Sequence, residues 1–148
     1  DGFIFPDAPL EESGDLLKAA KDAGRSLAML VAPSTPPERA KAIVEASSGF
    51  VYLLARAGIT GETQKAPTVG PAVARLRQLT PLPIACGFGI SNAEHVRAVV
   101  GAPPQGAGAD AAIVGSGVVR RIVDAVKEGR DHIVPTEAFV RSLVGGLA

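Results

Sequence analysis

The sequence predicts an α/β fold built on a parallel sheet, and three observations carry that reading. Short apolar runs bounded by Gly, Pro, Asp or Ser alternate with segments of helical periodicity, the pattern of successive βα units. The first run is continuously apolar rather than alternating, as expected for a strand covered on both faces. Five units in 148 residues give about 30 residues each, and eight at that spacing would need ~240, close to the roughly 250 of a TIM (β/α)8 barrel. The chain is therefore expected to form a single partial (β/α) barrel domain over residues 1–148, of about five βα units and lacking the first three. A doubly wound open sheet is the alternative, but its binding loop follows the first strand. The Gly-rich turns here follow the last two.

In chain order, the first strand is the run at 2–6, followed by a helix over 11–23 that Gly24 ends. Glu11 and Glu12 would form its acidic first turn, which the helix dipole favours. The second strand, 26–31, leads into Ser34-Thr35-Pro36-Pro37-Glu38, where Ser or Thr can cap and proline suits the first turn of a helix running to Ser47. The third strand covers 50–54. The longest connection, 55–67, is rich in Gly, Thr and charge, and loops of that length are usually functional. A helix over 69–79 precedes the fourth strand, 83–86, which runs into Gly87-Phe88-Gly89-Ile90. Ser91-Asn92-Ala93-Glu94 reads as a capping box opening a helix to Val100. A Pro/Gly-rich surface loop at 100–110 leads to the fifth strand, 111–114, and to Gly115-Ser116-Gly117. Val119, Ile122, Val123 and Val126 then recur at helical spacing, and a last helix follows Pro135.

Fifteen Lys+Arg balance fifteen Asp+Glu, and the pI near 6.9 removes the electrostatic footprint that nucleic acid or an anionic membrane would need. One cysteine can close no internal disulfide, so a cytoplasmic setting is the default. No apolar stretch approaches the roughly 18 residues of a membrane span. An apolar strand at the very first residues suggests a chain that starts partway through a larger fold.

In barrels of this kind a phosphate often sits between the loops after strands 7 and 8 and a short helix, where free N–H groups and the helix dipole favour an anion. Gly89 and Gly115-Ser116 occupy the last two strand ends, and they read either as such a site or as tight turns without a ligand. Tyr52 lies within the third strand and meets either a core partner or the barrel mouth. Arg56 begins the long loop as a substrate contact or a solvated charge, and Asp7 follows the first strand as a catalytic candidate or a turn former. His95, near a helix start, and His132, in a terminal loop, have no evident metal or catalytic partner. Cys86 reads as a small buried hydrophobe rather than a nucleophile. No convincing general acid and base pair is present.

Four segments together resemble the α-subunit of tryptophan synthase: Asp7-Ala8-Pro9-Leu10-Glu11-Glu12-Ser13, Tyr52-Leu53-Leu54-Ala55-Arg56-Ala57-Gly58-Ile59-Thr60-Gly61, Gly87-Phe88-Gly89-Ile90-Ser91 and Gly115-Ser116. Their order fits strands 4 to 8 of that barrel, and the second segment is the specific one. The resemblance implies a lyase that cleaves indole-3-glycerol phosphate to indole and glyceraldehyde 3-phosphate. It implies no cofactor on this chain and no metal, pyridoxal phosphate belonging to a partner β-subunit.

By the same resemblance, Gly61, Gly89, Gly115 and Ser116 would donate main-chain N–H groups to the substrate phosphate. Ile4, Leu30, Tyr52 and Phe88 would border the indole ring. Arg56, Gly58 and Thr60 would belong to a lid loop, Thr60 helping to orient a catalytic aspartate. Pro6 stands where the family often has alanine. The family's catalytic glutamate and aspartate precede everything present, so no catalytic residue is assigned and the chain alone is expected to be inactive. Two readings of other classes stand beside this one: a different phosphate-binding barrel enzyme, isomerase or aldolase, and a non-catalytic half-barrel that self-associates through unpaired strand edges.

Overall fold

Parallel strand segments occupy five neighbouring positions in strict chain order. The computed structural model describes residues 1–55, 67–100 and 108–147. The segments are β1 (Gly2–Ile4), β2 (Ser26–Ala28), β3 (Leu30–Val31), β4 (Val51–Leu54), β5 (Ile84–Gly87) and β6 (Ala111–Ile113). β1 pairs with β2, and β3, β4, β5 and β6 pair in sequence, every pair parallel. The helices are α1 (Gly14–Asp22), α2 (Pro37–Ala46), α3 (Gly70–Arg77), α4 (Ala93–Val100), α5 (Ser116–Lys127) and α6 (Ile133–Val144). A doubly wound sheet reverses its strand order and carries helices on both faces. Sequential order does not, so the arc is that of a partial barrel.

One expected strand, 26–31, is interrupted at Met29, and the serines before β4 supply the reason. Ser48 Oγ accepts from the Leu27 amide at 2.8 Å and Ser47 Oγ from the Met29 amide at 3.3 Å. Two hydroxyls thus fill the ladder positions where β4 has not yet begun, and pairing resumes at Leu30↔Tyr52.

Side chains alternate across a strand, and here the alternation separates two environments. Leu27, Met29, Val31, Val51, Leu53, Ile84 and Cys86 share one core with Ala20 of α1, Ile43 and Val44 of α2, Val73 and Leu76 of α3, Val96 and Val99 of α4 and Leu143 of α6. The intervening Ala28, Tyr52 and Ala85 are buried yet lie outside that core, on the inner face of the arc. Burying each large aliphatic side chain on the helix side contributes ~1.5–3 kcal/mol. The β5–β6 register is fixed at its lower end by Asp110, whose Oδ2 accepts from the Ile84 amide at 2.6 Å and whose Oδ1 meets Arg77 at 2.7 Å.

Several local expectations are corrected. The first strand is short and exposed rather than covered on both faces, with Phe3 48% exposed and stacked on Phe5, because β1 is a sheet edge. The first helix begins at Gly14. Leu10–Glu12 instead forms a 3-10 turn closed by Ser13, whose buried hydroxyl donates to the Leu10 carbonyl at 2.8 Å. Thr35 does not cap α2, since its Oγ1 accepts from the Ala32 amide at 3.0 Å. The cap of α4 is Asn92, whose Oδ1 accepts from the His95 amide at 2.8 Å, so Ser91 and Glu94 form no capping box. α6 starts two residues before Pro135, which sits in the first turn, where a missing N–H costs no helical bond. The apolar stripe of α5 faces outward, with Val119 58% and Val126 60% exposed, because α5 packs on α6 through Gly117 and Phe139.

Glu11 is held to α2 by a two-pronged pair with Arg39, one prong being Nη2 to Oε2 at 3.0 Å. That hydrogen bonding lowers the Glu11 pKa from 4.5 to about 2. Because the folded-state value is the depressed one, the pair's stabilisation is fully present above pH 4.5 and is lost as pH falls through about 2. A carboxyl-carbon NMR titration should find Glu11 near that low value, returning towards 4.5 in Arg39→Ala. An ordinary Glu11 titration in the unmodified chain would contradict the pairing.

Candidate functional site

Parallel strands in sequential order bring every strand C-terminus to one end of the arc, and the candidate site lies there. Ile4 ends β1 on the inner face, opposite Ala28. Leu30, Tyr52 and Ala85 form one transverse row with Ala111, and Leu54, Gly87 and Ile113 form the next row towards the C-terminal end. Ile4, Leu30 and Tyr52 therefore share the face that the helices do not cover. Phe88 follows β5, half-buried.

Tyr52 belongs to both of the environments considered for it: it is 9% exposed, yet it lies on the inner face outside the main core. Its ring runs diagonally across β5, so close to Gly87 that a Cβ there would stand 2.0 Å from the hydroxyl oxygen and 2.5 Å from Cζ. Glycine at 87 is thus what lets the phenol lie flat along the strand ends. Burial, and then the neighbouring Cys86, raise the Tyr52 pKa above 10.0, so the tip is a neutral hydroxyl. Cys86 faces the helix side, and burial pushes its thiol up to about 12, a small core residue rather than a nucleophile.

The two Gly-rich turns are neighbours, because β5 and β6 pair through Gly87↔Ile113. Phe88 and Gly89 both take left-handed backbone, with φ of 80° and 76°. For Phe88 that conformation costs about 1–2 kcal/mol and must be held by its surroundings. Beside them, α5 opens with Gly115 as its N-cap, which has no side chain to cap the first turn. A Cβ at Gly115 would meet nothing within 4 Å, so the protein leaves open space beside the start of α5, where helix N-termini present main-chain N–H groups to an anion. Gly117 differs, since a Cβ there would come within 3.1 Å of Phe139, which makes that glycine a packing requirement of α6.

Arg56, Gly58, Thr60 and Gly61 lie outside the described residues. Of the acidic candidates, Glu11 is engaged by Arg39, while Asp7 lines a cavity of about 460 Å³. That cavity opens between the loop after β1 and α2, lined also by Pro6, Leu30, Arg39, Ile43 and Leu54, and none of the Gly-turn residues borders it. His132 is exposed at the start of α6. His95, by contrast, is 1% exposed, and its Nδ1 accepts from the Ser91 N–H at 3.4 Å and lies 3.2 Å from the Gly89 carbonyl oxygen. The spacing Ser91-Asn92-x-x-His95, which puts the histidine one turn above the residues that follow the Gly turn, was the available sequence signal for this contact.

Substituting Gly87 should report on the Tyr52 contact. Gly87→Ala is expected to destabilise the chain by ~1–3 kcal/mol through overpacking, measured by denaturant unfolding, and to become nearly neutral in a Tyr52→Ala background. Equal costs in the two backgrounds would remove Tyr52 as the cause.

Among the described residues, no helix is long and apolar enough to cross a membrane. The family model for the tryptophan synthase alpha chain matches residues 1–146. The tryptophan synthase alpha chain of Thermosynechococcus vestitus is 46% identical over 124 residues, covering 83% of this chain and 45% of that one. Among solved structures, Mycobacterium tuberculosis tryptophan synthase superposes with a TM-score of 0.78 at 30% identity, over 99% of this chain and 51% of that one. The tryptophan synthase a2b2 complex of Pyrococcus furiosus gives 0.74 at 28% identity, over 98% and 53%. The chain spans about half the length of the curated relatives it matches.

Proposed function

The chain belongs to the tryptophan synthase alpha chain family, and on that premise we propose that it forms the phosphate-binding and indole-bordering part of a lyase acting on indole-3-glycerol phosphate. The observation that carries the reading is the pair of neighbouring Gly turns at the ends of β5 and β6, one strained and one opening a helix whose N-cap is glycine. Gly89, Gly115 and Ser116 would hold the phosphate of the substrate, joined by Gly61. Ile4, Leu30, Tyr52 and Phe88 would border the ring, with the neutral Tyr52 hydroxyl as a polar edge. Arg56, Gly58 and Thr60 would close over the bound substrate.

The reaction breaks a carbon–carbon bond, releasing indole and glyceraldehyde 3-phosphate. It needs a proton delivered to the indole ring and another removed from the glycerol hydroxyl, so a positioned acid and base are required. This chain's residues would bind and orient, and the catalytic carboxylates of the family would come from barrel units outside these 148 residues. The partial-barrel domain lacking three units, the absence of a cofactor on this chain, a β-subunit partner and a cytoplasmic setting are parts of the same proposal. Support for the partner comes from relatives whose structures are tryptophan synthase complexes.

Calorimetric titration tests the reading. Indole-3-glycerol phosphate is expected to bind more tightly than other sugar phosphates of equal charge, and Gly115→Val to weaken it at least tenfold. The 148-residue chain alone should release no indole, and mixing it with a separately expressed piece carrying the three preceding units should restore release. Equal affinity for every sugar phosphate would point to another barrel enzyme, and a defined oligomer that binds none of them would favour the self-assembling half-barrel. Turnover by the chain alone would overturn the division of labour, because losing a general acid–base group typically costs about 10²–10⁴ in rate.

A further inference from the structure

We propose that the two free edges of the arc are the two halves of one contact, by which the chain pairs head to tail with a second copy of itself. The contact is independent of the lyase reading and uses none of the Gly-turn residues. Among the described residues, β1 pairs only with β2 and β6 only with β5, so each presents an open edge. Neither strand carries a charge or a proline within its three residues, the devices that ordinarily blunt an edge against further pairing.

What flanks the two edges is complementary. Phe3 is level with Leu27 and therefore stands on the helix face of the sheet, and Phe5, two residues on, stacks on it with ring centroids 5.9 Å apart. Ala112 is level with Cys86 on that same face, and beside it an apolar groove of about 380 Å³ opens between β6, α5 and α6. Val114, Val118, Val140, Val144 and Leu147 line it, and with Val144 57% and Leu147 59% exposed its far wall faces solvent. A second copy's β1, added in parallel to β6, matches pleat to pleat only when helix-face residues share a row. Phe3 and Phe5 then fall beside Ala112 and Val114, both pairs being two residues apart, and the rings lie over the groove. Large side chains thus meet a small one and a hollow. Two copies that return this contact to each other leave no edge open, the smallest ring a head-to-tail contact can make. Two junctions also add their buried areas within one dimer, towards the ~800 Å² per partner of stable complexes.

Sedimentation of the 148-residue chain should give a dimer, twice 15.0 kDa, at micromolar concentration. Phe3→Lys at one edge and Val144→Asp in the groove should each raise the dimer dissociation constant tenfold or more, because each removes a central apolar contact from both junctions. Both positions are exposed, circular dichroism checks that the variants fold, and Phe5→Lys replaces a Phe3→Lys chain that does not. Mixing the two variants should restore a dimer, since one junction is then unaltered and the other sets the new ammonium against the new carboxylate. A monomeric unmodified chain would overturn the proposal, and its one-to-one complex with a separately expressed piece carrying the three preceding units would give both edges to those units. A Phe3→Lys chain that stays dimeric would overturn it by placing the α5–α6 face against itself. So would a mixture that stays monomeric.

Discussion

The handedness of a strand–helix–strand crossover is the constraint on which everything else here depends. A right-twisted strand feeding a right-handed helix can pack back onto the sheet in only one hand. When successive parallel strands also lie side by side in chain order, every crossover then delivers its helix to the same face. The other face is left to the strands, and all the strand C-termini collect at one end. The apolar core on the helix side and the candidate site at the strand ends are two products of that single geometry.

The two faces are built differently as a result. On the helix side, Leu53, Leu76 and Ile84 are fully buried and provide bulk. On the inner face, Ala85 lies beside Tyr52 in the sheet and Gly87 makes room for its ring. Towards the open end, packing yields to backbone polarity, with a left-handed Phe88–Gly89 turn beside an α5 start whose N-cap is Gly115. Strain at such a place persists only where its surroundings over-determine it. Here the buried His95 of the adjacent helix lies against the turn, its Nδ1 accepting from the Ser91 N–H at 3.4 Å.

Much of this was legible in the sequence because the signals were local. The alternation of apolar runs with helical periodicity located every strand position, and the Gly pairs marked the two strand-end turns. What stayed hidden depends on neighbours far away in the chain. A six-residue apolar segment does not reveal that Ser47 and Ser48 will take over two ladder bonds and split it at Met29. The valines of α5 suggest a buried stripe, yet Gly117 against Phe139 turns them outward. The acidic turn at Glu11 and Glu12 looks like a helix start until Arg39, 28 residues on, claims one of the carboxylates. His95 showed no metal or catalytic partner because its neighbours include main-chain groups, the Ser91 N–H and the Gly89 carbonyl, which no residue-type pattern displays. The family resemblance supplied roles for Tyr52 and Phe88 that spacing alone left open.

The central claim is that the neighbouring turns after β5 and β6 form the anion site, and a crystal structure of the chain with glycerol 3-phosphate tests it most directly. The account predicts the phosphate within hydrogen-bond reach of the Gly89 N–H and the first turn of α5 at Ser116. A phosphate seated instead in the cavity of about 460 Å³ between the loop after β1 and α2, against the Arg39 guanidinium, would contradict it.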